Sequence, residues 1–385
     1  MLTSYFKHMV EVYVMGKSFP RRNLLQMAGA AALLRSSIAS AQQAPRTTRT
    51  DPVPELDRRS SVALTQGNDR RKNIYNALMA VDKDLQPKLK TRKYVVIKPN
   101  FVNTVNQLAA SNVDAMRGIL DYLSERFSGP VVIAESSAGN TQQGYENFKY
   151  TALPSEYKKQ QVKLIDLNAE ARFEQIMLLD QDLHIAPVRL AARLMDPEAF
   201  VISAAMLKTH NTVIASLSIK NMVLGAPLHY APNETTRWND KRKYHVGLRQ
   251  THYNMLVTAQ RLASSWGASV IDGYEGMEGN GPNSGTPVPS RLAIASADFV
   301  ATDRIAAQCM GIDPEWLGYV KYCGQMHLGQ FNESKIDVIG AKVADVKKAY
   351  RMHPDIDKEL QWQGPMKELP FNLGWVKPQH GPDLG

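Results

Sequence analysis

The chain has 385 residues, 44% apolar and 22% charged, which is ample material for one or two packed cores and excludes a disordered chain. Lys and Arg number 46 against 37 for Asp and Glu, and part of the excess sits in the first 41 residues. A balance this mild and scattered suits an anionic ligand and argues against a nucleic-acid partner. Two cysteines, Cys309 and Cys323, exclude a four-cysteine zinc site, a ferredoxin-type iron–sulfur site and a disulfide scaffold.

At the N-terminal end, Arg21-Arg22 precede a short apolar stretch from Met27 to Leu34, and Ala39-Ser40-Ala41 supplies a small-residue cleavage pattern. This predicts a twin-arginine signal peptide over residues 1–41, cleaved before Gln42. The protein is then periplasmic or otherwise exported, with the twin-arginine export machinery as a partner. The apolar stretch falls far short of the roughly 20 residues that span a bilayer, so no stable membrane span is expected. Residues 42–60 lack periodicity and read as a linker; residues 61–345 read as a single α/β domain and 346–385 as a C-terminal extension.

Residues 94–98 are a β-branched run closed by Pro99, the pattern of a buried strand feeding a loop. Residues 113–127 carry apolar side chains at helical spacing, and Gly129-Pro130 stop them before a second strand at 131–135. Strand, helix, strand over so short a stretch is a βαβ unit. Further strands are predicted at 162–167, 199–204, 268–271, 291–295 and 336–339, with helices at 217–224, 250–266, 299–310 and 314–323. The expected fold is α/β, a largely parallel sheet flanked by helices, with a long inserted basic loop from 226 to 248.

Open parallel sheets collect ligands outside the carboxyl ends of their strands. The residues leaving the predicted strands are Lys98 and Asn100, Glu135 and Ser136, Lys208 and His210, and Asp272 with the glycines after it. Lys208-Thr-His210, followed by Ser218-Ile-Lys220-Asn221, is the densest polar cluster. Lys220 lies in an otherwise apolar run, so its ammonium must reach a ligand, an acid or a helix end, unless it marks a solvated helix face. A buried lysine serves as an anion binder, a Schiff-base nucleophile or a base of depressed pKa. His210 suits acid–base work or metal ligation. Lys208, His210, Lys220 and Asp272 are therefore the catalytic candidates. Lys98, Asn100, Glu135, Ser136, Asn221, Gly279 and Gly281 are the cofactor-binding ones.

Three elements of this site are left open. The segment holding His229, Tyr230, Arg237, Trp238, Lys241, Arg242, Lys243, His245, Arg249 and His252 is either a basic lid over an anionic ligand or a solvated loop. His210 with His229 and either His245 or His252 offers metal-ligand types at spacings that match no short zinc motif. The stretch from Asp272 to Pro287 has neither a Rossmann fingerprint nor a P-loop. Its glycines could form an anion-binding nest, its carboxylates a hard-cation site, or the whole a tight structural loop. Asp303 is a candidate partner for Lys208 or Lys220, and Cys309 is expected to be buried and unpaired.

Together these segments resemble the family called domain of unknown function 362. The resemblance lies in Ile97-Lys98-Pro99-Asn100, Ala134-Glu135-Ser136, Leu207-Lys-Thr-His210, Ser218-Ile-Lys-Asn-Met222 with Gly225, Met277-Glu-Gly-Asn-Gly-Pro282 with Gly285, and Ala297-Asp298 with Ala301, Asp303 and Gly311. Many members carry an added iron–sulfur module whose cysteines are missing here. No iron–sulfur cluster is expected, a metal ion stays open, and the cofactor is otherwise unknown. A more distant likeness is to the nickel-pincer lactate racemases, which place histidines and a lysine after an α/β strand; it suggests racemase- or isomerase-like chemistry by analogy alone. Two classes of function follow: an exported enzyme acting on a small anionic substrate or cofactor, or a non-catalytic periplasmic protein that binds an anion or a metal.

Overall fold

Alternation of buried β-branched strands with amphipathic helices builds the fold in a computed structural model that describes residues 55–245 and 247–364. The expected signal peptide and most of the linker lie outside the described residues, as do residues 365–385. In chain order the strands and the helices of seven residues or more are β1 (Ser60–Gln66), α1 (Arg70–Ala80), α2 (Asp82–Leu89), β2 (Tyr94–Lys98), α3 (Val113–Arg126), β3 (Val131–Glu135), α4 (Thr141–Asn147), β4 (Lys163–Asp166), β5 (Phe173–Leu179) and β6 (Ile185–Ala191). There follow β7 (Ala199–His210), β8 (Ile214–Ser216), α5 (Ser218–Gly225), α6 (Leu248–Leu262), β9 (Trp266–Glu278), β10 (Thr286–Val288), β11 (Leu292–Ser296), α7 (Phe299–Cys309), α8 (Gly318–Gln325) and β12 (Ile336–Gly340).

The main sheet runs β12-β1-β11-β9-β7-β2-β3-β4, with β8 and β10 paired as short hairpin partners on β7 and β9. From β9 through β4 every neighbouring pair is parallel, and β12 is parallel to β1; β11 runs antiparallel to both its neighbours. The expectation of an α/β fold with a largely parallel sheet holds. Strands buried on both faces need continuous apolar runs, and residues 95–97 of β2, 131–134 of β3 and 199–202 of β7 supply them. Their alternating side chains feed two cores. Val95, Ile97, Val131 and Ile133 pack with α1, α2 and α3, while Val96, Val132 and Val201 pack with α5, α6, α7 and α8. Each large aliphatic side chain so buried contributes roughly 1.5–3 kcal/mol.

Several elements depart from the sequence reading. β1, α1 and α2 precede the first predicted strand, and β5 with β6 forms a separate two-stranded antiparallel sheet. β7 and β9 run on to His210 and Glu278, well past the predicted ends. Gly273 and Gly276 therefore lie in a strand rather than a loop, because β11 and β10 supply ladders to them, whereas Gly279, Gly281 and Gly285 lie in the turn between β9 and β10. The described residues of the inserted segment are tied down by bridges from Leu190 to Pro227 and from His229 to Asn239. Residues 347–364 fold back, burying Tyr350 and Trp362. Among the described residues no helix is long and apolar enough to cross a membrane.

Candidate functional site

After β2 the chain moves outward through β3 and β4, then returns to the opposite side of β2 as β7 and continues to β9. The strand order thus reverses between β2 and β7, the place where open α/β sheets leave a ligand crevice. A cavity of about 480 Å³ lies there. Lys98, Asn100, Glu135, His210, Lys220 and Asn221 contribute to its wall, brought together from β2, the end of β3, β7 and α5.

A fully satisfied polar network forms one side. Lys98, 1% exposed, donates to both carboxylate oxygens of Glu135 at 2.9 Å, to Pro99 O at 2.8 Å and to Asn221 Oδ1 at 3.0 Å. Glu135 also accepts the backbone N–H groups of Phe101 and Ser136. Asn221 accepts from Asn100 Nδ2 and donates to Lys98 O and Ser203 Oγ, and Asn100 Oδ1 accepts from Lys208 Nζ at 2.6 Å. Burial lowers the Lys98 pKa, opposed by Glu135. Gly225 is required beside this network, since a Cβ there would overlap Lys98 Nζ and Cε.

The other side is cationic and largely open. Lys220 is 6% exposed and faces the cavity, yet its ammonium has no hydrogen-bond or ion-pair partner among the described residues. Burial, and then the charge of Lys98, lower its pKa to about 7. Glu135 is the one carboxylate among the described lining residues, and Lys98 already engages it. His210 Nδ1 accepts the Thr212 N–H at 3.0 Å, which leaves Nε2 as the protonated nitrogen of the neutral ring, facing no protein partner among the described residues. Burial and the nearby Lys220 charge hold His210 well below its usual pKa. His245, exposed at the mouth, stacks on it with ring centroids 6.0 Å apart.

The residues nominated from sequence are distributed unevenly around this cavity. Ser136 lines it, donating to Gly225 O and accepting from Lys241 Nζ at 2.9 Å. Lys208 lies beneath the wall, held by Asn100 and Ala109 O. Asp272 does not line the cavity; it is buried beside Arg70 at 3.2 Å and accepts the Tyr274 N–H. Gly279 and Gly281 do not line it either, and both amides are taken, by Arg351 O and Gly279 O, so neither can serve a nest. Pro282 and Asn283 of the same turn do reach the cavity. Asp303 meets neither lysine. It accepts the N–H groups of Ser218 and Ile219 at 2.8 Å each, because the start of α5 has orphan donors that a buried carboxylate can satisfy.

The histidine set does not converge. His229 is bound through both ring nitrogens to Ser137 O and Tyr230 O, and His252 accepts the Tyr319 N–H in the core beside Trp362. Among the described residues, a three-residue group with metal-ligand geometry occurs at Asp180, Asp182 and His184, in the β5–β6 turn. It is a weak one, since Asp180 Oδ1 is already committed to the turn's own amides. Cys309 and Cys323 are both buried free thiols.

Lys241 and Arg242 were missing from the nominated set, although the basic run that contains them was the signal. Lys241 donates to Pro227 O at 2.5 Å and to Ser136 Oγ, closing the carboxyl end of α5. Arg242 lines the cavity on its exposed side, and its guanidinium has no partner among the described residues. Their neighbours are structural. Asp240 is buried between Arg189 and Lys243, and the Arg189 guanidinium lies 3.4 Å over the Trp238 ring.

A thylakoid-associated protein of Synechocystis sp. is 26% identical to this chain over 129 residues, which are 33% of this chain and 37% of that protein. The match therefore spans little more than a third of that relative. A solved structure of a Thermotoga maritima protein aligns over 58% of this chain and 55% of its own at 13% identity, with a TM-score of 0.31, too low to bear on the fold. Residues 95–308, more than half of the sequence, match the family described as a domain of unknown function, number 362. This stretch contains β2, β3, β7, α5 and the greater part of the cavity wall, and the chain belongs to that family.

Proposed function

We propose that the chain binds a small anionic molecule in the cavity between β2 and β7, with Lys220 and His210 in contact with it, and that it acts on this molecule as an enzyme. The observation that carries the reading is the uncompensated ammonium of Lys220: a buried cation beside a cavity whose one described lining carboxylate is already paired. An isolated buried charge is costly, and an anion entering the cavity would offset that cost. The enzymatic part rests on Lys220, whose pKa near 7 suits proton transfer near neutrality, beside a neutral His210 whose Nε2–H, with no partner among the described residues, can donate a hydrogen bond or relay a proton. A plain anion-binding protein needs the first feature and not the second. Export by the twin-arginine route is part of the proposal and rests on Arg21-Arg22 and Ala39-Ser40-Ala41.

The test is calorimetric binding of small carboxylates and phosphate esters to the wild type, Lys220→Met and His210→Ala, followed by NMR of each bound compound for turnover. A charge-assisted contact is worth about 1.5–3 kcal/mol, so losing one should weaken binding roughly 10- to 100-fold. Undiminished affinity in both variants would sink the reading. Binding without chemical change of any bound compound would reduce it to a binding protein.

A further inference from the structure

We infer that Lys220 is a nucleophile, and that the molecule it meets is an aldehyde or ketone carrying a carboxylate or phosphate, with which it forms an imine. This rests on the anion-binding reading above and names its substrate class.

The first reason is how the lysines of the site are held. Lys98 has the two Glu135 oxygens, Pro99 O and Asn221. Lys208 has Asn100 and Ala109 O. Lys241 has Ser136 and Pro227 O. A lysine used as a strut or a fixed charge is surrounded by acceptors in this way, and Lys220 has none among the described residues. Its electrostatic neighbours Lys98 and Lys208 are of like sign, which favours the uncharged amine, the form that attacks carbonyl carbon.

The second reason is that two cationic side chains without a partner among the described residues line the same cavity. Lys220 is buried and Arg242 is exposed. A planar guanidinium fork matches a carboxylate or phosphate. A ligand bridging both would present its anionic group to Arg242 and its carbonyl to Lys220.

The third reason is His210, whose Nε2–H has no partner among the described residues and lies within the same wall. The step balances without an outside oxidant or reductant. The amine nitrogen of Lys220 bonds to the carbonyl carbon as the C=O π pair moves to oxygen; that oxygen takes the proton of His210 Nε2–H, and one of the two protons on the attacking nitrogen restores the imidazole. The resulting carbinolamine loses its hydroxyl with the nitrogen's other proton as water, and a C=N bond replaces C=O.

Reductive trapping tests this directly. The full chain is incubated with pyruvate or 4-oxopentanoate in cyanoborohydride, with butanone as the uncharged carbonyl, and adducts are located by peptide mass spectrometry. The expected result is one adduct per chain, on Lys220, for the anionic carbonyls, absent in Lys220→Arg and at least tenfold slower in Arg242→Ala. Because trapping is scored on the wild type, a variant that failed to fold would not obscure the outcome. Lactate and 4-hydroxypentanoate separate the two readings. If the carbonyl and hydroxyl acids bind alike by calorimetry and no adduct forms at Lys220, the imine inference is overturned while anion binding stands. Absence of binding by every probe, together with absence of adduct, overturns both.

Discussion

Glu135 decides whether Lys98 can exist where it does. Both groups are at most 2% exposed, and the pair is worth having only because each remaining donor and acceptor is also satisfied. Glu135→Gln removes the negative charge and leaves a buried ammonium facing an amide. The expected cost is about 3–5 kcal/mol in urea unfolding, the range for breaking one side of a buried pair. Gly225→Ala should reach the same network by steric means, since its methyl group would displace the Lys98 terminus. A loss of about 1–3 kcal/mol is expected. As the two changes act on one ammonium, their effects should be markedly less than additive, and additive costs would show the two positions to be independent.

At the scale of elements, α5 carries Lys220 and Asn221 into the cavity although an eight-residue helix has no stability of its own. Its ends are held from outside. Asp303 of α7 accepts the first two N–H groups, while Ser136 and Lys241 take up the carbonyls of Gly225 and Pro227. Burial raises the Asp303 carboxyl to about 8 against the downward pull of those two N–H donors. Asp303→Ala strands both donors in the core and should cost about 1–3 kcal/mol. Anion affinity should fall with it, because the helix that aims Lys220 loses its anchor. Denaturant unfolding and calorimetry on this one variant check both; unaltered affinity would mean that the cap does not position the site.

For the whole molecule, pH couples binding to folding through Lys220. Its pKa in the folded chain is about 7 against an ordinary 10.5, so the unfolded chain holds the proton more tightly across that window. This group's contribution to stability is therefore present in full above pH 10.5 and is lost as pH falls through 7. Binding an anion without covalent change requires the ammonium, so affinity should fall up to about tenfold per pH unit above 7. Lys220→Arg, which stays charged, should show a flat profile over about pH 6 to 9 by calorimetry. A wild type as flat as the variant would remove Lys220 from the binding step. The proposed export is also tested at the scale of the entire chain. Replacing Arg21 and Arg22 together by lysine should abolish accumulation outside the cytoplasm on cell fractionation, and a mature N-terminus other than Gln42 would refute the cleavage site.

The sequence by itself determined the alternation of strand and helix, because buried runs such as 94–98 and 131–135 and the helical spacing of 113–126 are local patterns. It also pointed to the strand exits, because Lys98, Glu135 and His210 each follow an apolar run that has no local use for a charge. It could not assign partners. Lys98 is joined to Asn221 across 123 positions, and Asp303 serves the amide of Ser218 across 85, so only the crossing of strands determines which lysine takes the carboxylate and which is left without one. Gly273 and Gly276 read as a loop for the same reason, since their extended form depends on β11 and β10 lying alongside. Periodicity is written in neighbours along the chain, whereas charge compensation and ladder pairing are contacts between distant segments, and those are settled only when the sheet closes around the cavity.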